Sequence, residues 1–557
     1  MRVKRSIIAL ATASVALALV APLRAEEAEP AAAPAPTDTP PSLVVAISVD
    51  QFSADLFAQY RRNFTGGLAR LQEGAVFPSG YQSHAATETC PGHSTLMTGA
   101  HPARTGIVAN HWFDPEIARA DKSVYCAEDE SNPASTPRDP VVSAVHLKVP
   151  TLGDRMKAEN PKSRNVSVSG KDRAAIMMGG HNLDAVYWWK GTGFTSLAGR
   201  KLSPAAQAEN REVAQLINAG AEPFEVPAWC AMRDRAVPVG DFTIGTWRFA
   251  LPANQPGGFR VSPRFDAATV DLAVRLIDEQ QLGRDKVPDV LSVSLSATDY
   301  IGHAFGHEGV EMCIQMAELD KSVGRLLDEL DKRGIDYVAV LTADHGGIDA
   351  PERLDEQGYP QATRADAELS TDALGKAVSE RTGISAPSGP LLLGGGGSGD
   401  FYVAAGVSAQ DKARVIAELV KVLQAHPQVA AVFTAQELAE APPPSGSPQE
   451  WSLMDRARAN FDPTRSGDVT VLLRRGVVPV DPRPGITSTH GSPWDYDRRV
   501  PMLFWRKGLA GLEQPAPVET VDIAPTLAAL VGLKVPEGTF DGRCLDIDGG
   551  AANICGK

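Results

Sequence analysis

Short apolar runs alternate with helically spaced segments along most of the chain. Leu43–Val49 (LVVAISV), Val290–Ala297 (VLSVSLSA) and Tyr337–Ala343 (YVAVLTA) are rich in apolar and β-branched residues. Such runs mark strands buried on both faces of a parallel sheet. Asn165–Ser169 (NVSVS) predicts a further strand. Between the runs at 290 and 337, residues 309–333 place Met312, Met316, Leu319, Val323, Leu326, Leu327 and Leu330 at helical spacing. That segment predicts the crossover helix of a βαβ unit. The expected fold is therefore α/β, a doubly wound, mostly parallel sheet flanked by helices. Residues 401–405, a helix over 408–425, residues 469–473 and 501–505, and a helix over 521–531 continue the pattern. Residues 350–395 are polar and Gly-rich. Residues of about 180–288 fit no core strand pattern and carry Trp188, Trp189, Trp229 and Trp247 among many Pro and Gly. They predict an inserted cap over the sheet edge.

The first 41 residues stand apart. Arg2, Lys4 and Arg5 precede an apolar run, Ile7–Val20, that is short for a bilayer span, and Leu23-Arg24-Ala25 suits cleavage. Residues 1–25 thus predict a signal peptide. Residues 26–41 are rich in Ala, Pro and Glu and predict a disordered linker. No later stretch is apolar enough for a membrane span, so an exported protein, periplasmic or secreted, is expected. Residues 42–557 are then the remaining domain, expected cap included. The net charge of −14 argues against a nucleic-acid-binding role. Six cysteines suit an oxidising compartment. Cys544 and Cys555 could close a loop, with Cys90–Cys126 and Cys230–Cys313 completing a set. Other connectivities, and free buried thiols, stay open.

The predicted strands end in candidate ligands. Asp50 follows the first, Thr298-Asp299-Tyr300-Ile301-Gly302-His303 the second and Asp344-His345-Gly346-Gly347 the third. Open α/β sheets bind ligands at this edge. Three converging carboxylates would repel one another unless cations intervened. Asp299 and His303 are four apart, so one helical turn puts them on one face. His490 lies in a separate loop, residues 487–492. Mixed carboxylate and imidazole donors favour Zn²⁺. The segment TETCPGHSTLMTGAHPARTGIVAN, residues 87–110, supplies a different group. Pro91 and Gly92 end an irregular stretch and Ser94–Met97 starts a helix. Thr89 would then lie just before a helix N-terminus, either as a cap or as a hydroxyl able to attack a phosphoryl or sulfuryl centre.

TDYIGHAFG, TADHGG, THGSP and the TETCPGHSTLMTG segment together resemble the alkaline phosphatase superfamily. Within it, the chain is similar to bacterial alkaline phosphatases of the PafA/PhoK type, which use a threonine nucleophile. The likeness covers nearly all of residues 42–557, including VDIAPTLAALVGL near the end. It implies two Zn²⁺ per chain. Asp299, His303 and His490 match the ligands of one ion. Asp50, Asp344, His345 and the Thr89 oxygen match those of the other. His307, four residues after His303, matches no ligand position. Neither do His84, His93, His101 and His111, which read as structural.

Sulfatases of this superfamily carry a C-x-P-x-R motif. Here Thr89 holds the nucleophile position, Cys90 is off by one and His93 replaces the arginine. Lys171 and Arg173 in NVSVSGKDR are two apart, so an extended loop would point them the same way. With Asn110, the resemblance gives them the binding of a phosphate monoester dianion. The function expected is an exported zinc-dependent alkaline phosphatase that hydrolyses small phosphate monoesters through phosphothreonine. A phosphodiesterase or nucleotide pyrophosphatase of the same superfamily is the enzyme alternative. An exported metal-binding protein is the non-enzyme one, and the combination of Thr89, Asn110, Lys171 and Arg173 argues against it. The cap tryptophans would set leaving-group preference or form the cap's own core. The many surface carboxylates leave room for a structural Ca²⁺.

Overall fold

The computed structural model describes residues 39–395, 399–550 and 553–556. The expected signal peptide and most of the expected linker lie outside the described residues. The main sheet is built from β1 (Leu43–Val49), β2 (Ala75–Tyr81), β3 (Asn165–Ser169), β4 (Ala185–Lys190), β5 (Gly193–Thr195), β6 (Asp289–Leu295) and β7 (Tyr337–Thr342). A smaller sheet follows, of β8 (Leu392–Gly394), β9 (Gly399–Val403), β10 (Val429–Thr434) and β11 (Val469–Leu473), before the chain returns to the main sheet with β12 (Arg499–Arg506).

The main sheet runs β2-β12-β7-β1-β6-β3-β4-β5 through its centre. Strands β7, β1, β6, β3 and β4 are mutually parallel, while β12 pairs antiparallel with both β7 and β2. β1 is buried at every position, which explains its unbroken apolar run. Its register pairs Ser48 with Ser294 of β6 and with Thr342 of β7. The residues just past these pairs, Asp50, Asp299 and Asp344, therefore leave the sheet at one edge.

The helices that serve this edge are α1 (Thr89–Thr98), α2 (Asp172–Gly179), α3 (Pro263–Glu279), α4 (Ala297–Phe305) and α5 (Val310–Lys332). Leu319, Val323, Leu326, Leu327 and Leu330 of α5 join Phe265 and Leu272 of α3 in the core on one face of the sheet. Leu96 and Met97 of α1 join Ile523 and Leu527 in the core on the other. The arrangement is the doubly wound sheet expected. Among the described residues, no helix is long and apolar enough to cross a membrane.

The two ends of the segment expected as a cap belong to the main sheet and its core. Residues 185–190, within the predicted cap, are β4 of the main sheet, and α3 is one of its core helices. Trp188 and Trp189 are buried in β4, and Trp189 packs on Phe194, Phe259 and Phe265. These aromatics are core. The strand AVYWWK is buried through five of its six positions, so no alternation announces it. The inserted unit instead lies between β7 and β12. The smaller sheet is antiparallel, and helices α6 (Thr371–Thr382) and α7 (Ala409–Gln424) supply its own core of Leu374, Val378, Val415, Leu419 and Leu423. Strands read from sequence as a continuation of the main sheet thus belong to a separate layer.

The described residues contain disulfides Cys90–Cys126, Cys230–Cys313 and Cys544–Cys555, with no free cysteine. They are the pairs considered from sequence.

Candidate active site

α1 begins at Thr89, five residues before the helix expected at Ser94. Pro91 is compatible with this because a first-turn residue has no helical partner for its N–H. Gly92 permits the close approach of α1 to the β7 edge: a Cβ there would lie 2.0 Å from the Asp344 carbonyl oxygen. Thr89 is therefore held, fully buried, at the helix N-terminus against the ends of the central strands.

Two groups of donors flank it. Asp299, His303 and His490 bring one ligand atom each within 4.8 Å of one another, and Asp50, Asp344 and His345 do the same. The turn of α4 between Asp299 and His303 places both on one face, as their spacing predicts. Each imidazole is oriented through Nδ1. His303 donates to the Ser488 carbonyl at 2.9 Å, His345 to that of Gly346 at 2.8 Å and His490 to that of Thr87 at 2.8 Å. Each Nε2 then faces a carboxylate of the site, His303 and His490 at 3.2 and 3.5 Å from Asp299 Oδ1 and His345 at 3.3 Å from Asp344 Oδ2. Carbonyl bonds to Nδ1 set the tautomer of metal-binding histidines. Asp50 Oδ1 and His345 Nε2 are buried without a hydrogen-bond partner, 3.5 Å apart. Two acceptors facing each other in a buried site fit a divalent cation between them.

The electrostatics agree. Burial, reinforced by Asp299 and Asp344, pushes the Asp50 carboxyl well above its usual range. Burial works the same way on Asp299, but the Lys171 ammonium and His303 outweigh it and hold that carboxylate low. Burial lowers His345 and His490, keeping them neutral.

Lys171 and Arg173 do meet at Thr89, though not along an extended loop. Lys171 is the N-cap residue of α2, and Arg173 lies in its first turn. The Lys171 Nζ stands 2.6 Å from Asp50 Oδ2, 2.5 Å from Asp299 Oδ2 and 3.4 Å from Thr89 Oγ1. Arg173 Nη2 reaches Thr89 Oγ1 at 3.5 Å. Burial lowers the affinity of Lys171 for its proton, but Asp299 and Asp50 more than reverse this. The third expected residue, Asn110, accepts a 2.8 Å bond from the Cys90 N–H through Oδ1.

Several neighbours escaped the sequence reading. Gln51 has φ of 66°, a left-handed backbone rare outside glycine. Its N–H donates to Asp344 Oδ1 at 3.1 Å and its Nε2 to Asp299 Oδ1 at 2.9 Å, so it ties one carboxylate of each group. His307 bonds Gln51 Oε1 at 2.7 Å, supporting that tie rather than joining a ligand group. Gly302 leaves the room, since a Cβ there would sit 1.8 Å from Gln51 Oε1. Tyr300 lies under the Lys171 ammonium, 5.3 Å from ring to Nζ. His93 bonds the Thr89 carbonyl, Ser294 Oγ and Asp344 Oδ2, while His101 pairs with Glu519 and Asp541. His84 is buried and His111 packs against the Tyr125 ring, 4.9 Å between centroids. None of these four enters a ligand group.

The family model for type I phosphodiesterase / nucleotide pyrophosphatase matches residues 44–493. Alkaline phosphatase PhoK of Sphingomonas sp. is 54% identical over 93% of each chain. Alkaline phosphatase PhoD of Zymomonas mobilis is 50% identical over 92% of this chain and 89% of that one. The crystal structure of wild-type alkaline phosphatase PafA superposes with a TM-score of 0.80 at 26% identity, covering 92% of this chain and 100% of that one.

Proposed function

We propose, for a chain that belongs to the type I phosphodiesterase / nucleotide pyrophosphatase family and is a phosphatase of the alkaline phosphatase kind, that it is a zinc-dependent phosphomonoesterase acting through phosphothreonine. One observation carries this reading. The Thr89 hydroxyl, two cationic side chains and two three-donor groups share one buried site.

Asp299, His303 and His490 would hold one Zn²⁺, and Asp50, Asp344, His345 and the Thr89 oxygen the other. Bound there, the ions supply Lewis acidity and positive charge at the attacking and departing oxygens, which a threonine hydroxyl lacks by itself. Thr89 Oγ1, having released its proton, forms a bond to phosphorus as the ester P–O bond breaks, and the ester's alcohol departs with a proton taken from water. Its Cβ methyl limits the rotamers and helps aim the oxygen. Lys171, Arg173 and Asn110 hold the non-bridging oxygens throughout. Water then cleaves the phosphothreonine and releases inorganic phosphate. Because a nucleophilic oxygen is needed in both steps, rates should rise toward alkaline pH.

The substrates are small phosphate monoesters. The second reading, a diesterase, has the family model in its favour. Against it stand Lys171 and Arg173, both within 3.5 Å of Thr89 Oγ1, which suit a dianionic phosphoryl group. Three disulfides support export to the periplasm or beyond. The catalytic unit spans residues 42–557, with the smaller sheet and its helices, residues 371–473, inserted between β7 and β12. The deciding experiment compares kcat/KM on p-nitrophenyl phosphate and bis-p-nitrophenyl phosphate, with zinc per chain measured on the same preparation. Faster turnover of the diester would replace this reading with the second.

A further inference from the structure

The first turn of α1 is capped by an exchange across a long loop. Its N-cap residue is Glu88, where Ser, Thr, Asp and Asn are the common choices, and the Glu88 side chain bonds no amide of its own helix. Glu88 Oε2 instead accepts from the backbone N–H of Asn110 at 2.7 Å. Asn110 returns the bond two residues further on, its Oδ1 accepting from the Cys90 N–H at 2.8 Å. The Asn110 carbonyl accepts from the Cys126 N–H at 3.0 Å, and Cys126 is joined to Cys90 by a disulfide. Backbone N–H, carbonyl and side-chain Oδ1 of Asn110 are all committed to residues that flank Thr89 or are bonded to one that does. With Oδ1 engaged, the amide cannot flip without losing a bond at the helix N-terminus. Nδ2 is then the end that offers hydrogens. The residue type at position 88 breaks the local capping preference, and such departures concentrate where a side chain serves another purpose.

We propose that Glu88 is a positioning residue for phosphate recognition: it sets the Asn110 backbone so that Nδ2 meets the phosphoryl group at Thr89, and it acts on the reaction through Asn110. This rests on the reading of Asn110 as a phosphate contact. Burial raises the Glu88 carboxyl, while the Asn110 N–H and the Arg173 charge act in the opposite sense. Arg173 is thus the competing route by which Glu88 could influence the site.

A double-mutant cycle separates the routes. kcat/KM on p-nitrophenyl phosphate and inhibition by inorganic phosphate are measured for Glu88→Ala, Asn110→Ala, the pair together and Glu88→Gln, with zinc content and melting temperature recorded. Each alanine variant should lose about tenfold in kcat/KM and bind phosphate correspondingly more weakly, as expected for one lost hydrogen bond. Adding Glu88→Ala to Asn110→Ala should cost less than about twofold more, and Glu88→Gln, which keeps the acceptor oxygen, should stay within about threefold of the parent. A double variant that loses the product of the single losses overturns the inference and points to Arg173. So does a Glu88→Ala enzyme equal to the parent. Equal losses in Glu88→Gln and Glu88→Ala, with zinc or thermal stability falling too, would assign Glu88 to the fold and overturn it as well. If Asn110→Ala alone matches the parent, the phosphate role of Asn110 falls and this inference with it, while the readings of Thr89 and the donor groups stand.

Discussion

The two sides of Thr89 are built by different means. On one side, five of the six candidate metal ligands follow the ends of central strands, and His490 joins them from the loop at 487–492. Sheet register sets the places of Asp50, Asp299 and Asp344, and carbonyl bonds lock the three imidazoles. On the other side, Asn110 comes from a loop and Lys171 and Arg173 from a helix start; individual hydrogen bonds and one disulfide hold Asn110, and ion pairs with Asp50 and Asp299 hold Lys171. A site fixed by register tolerates no lost member, because the remaining buried carboxylates would face one another without a cation. A site assembled from individual contacts should lose function in steps. The contrast predicts near all-or-none behaviour on the first side and graded behaviour on the second.

The largest effect tests the first side. Asp50→Ala, Asp344→Ala, Asp299→Ala and His490→Ala should each lower kcat/KM on p-nitrophenyl phosphate by about a thousandfold or more, as loss of an ion that stabilises transition-state charge would. Zinc per chain, read by elemental analysis, should fall in each. Chelation should abolish the activity of the parent and added Zn²⁺ restore it. Full zinc and activity in these variants would leave the two groups as ordinary buried polar clusters. Thr89→Ala belongs with this class: acid quench with labelled phosphate should give no phosphopeptide, whereas Thr89→Ser should keep part of the activity and carry the label itself.

Next comes the second side. Lys171→Ala and Arg173→Ala each remove a charge-assisted contact worth about 1.5–3 kcal/mol, or about one to two decades in rate. The monoester should suffer most, because a diester has fewer anionic oxygens to offer. The ratio of monoester to diester kcat/KM is the readout, since damage to the donor groups cancels in it. An unchanged ratio in the double variant would mean that these cations do not select the dianion.

A smaller effect should follow from the paired change Cys90→Ser and Cys126→Ser. The loop from 90 to 126 contains Asn110, so freeing it should lower kcat/KM several-fold with zinc content retained. Thermal stability should fall as well, since a closed loop of this size typically contributes about 2–4 kcal/mol. Activity equal to the parent would show that hydrogen bonds alone aim Asn110.

The smallest effect is one of pH. His101 sits between Glu519, at 3.0 Å, and Asp541, at 3.5 Å. Burial lowers its pKa, but the two carboxylates prevail and raise it to about 9. A folded-state pKa above the unfolded value means stabilisation that is complete below about pH 6.5 and lost as pH rises through about 9. Melting temperature should therefore decline by a few degrees over that interval, and His101→Gln should flatten the decline. The same slope in both proteins would place the titrating group elsewhere.

What could be read from the sequence shares one physical trait: it depends on near neighbours in the chain. Strands β1, β6 and β7 announce themselves by apolar runs, Asp299 and His303 by one helical turn, and Asp344-His345 by adjacency. The family likeness of those motifs then supplied roles for Thr89, Asn110, Lys171 and Arg173. What the tertiary structure decided depends on residues far apart. Gln51 acquires its meaning only where β1 meets Asp299 and Asp344, some 250–290 positions away. Glu88 acquires its own only where Asn110 folds back on α1. The limits of the inserted unit also lay beyond local pattern. A strand buried through five of six positions, such as 185–190, shows no alternation, and the smaller sheet from 392 to 473 has the same strand and helix signals as the main one. Periodicity reports that a face is buried. Which other element buries it is settled only by packing.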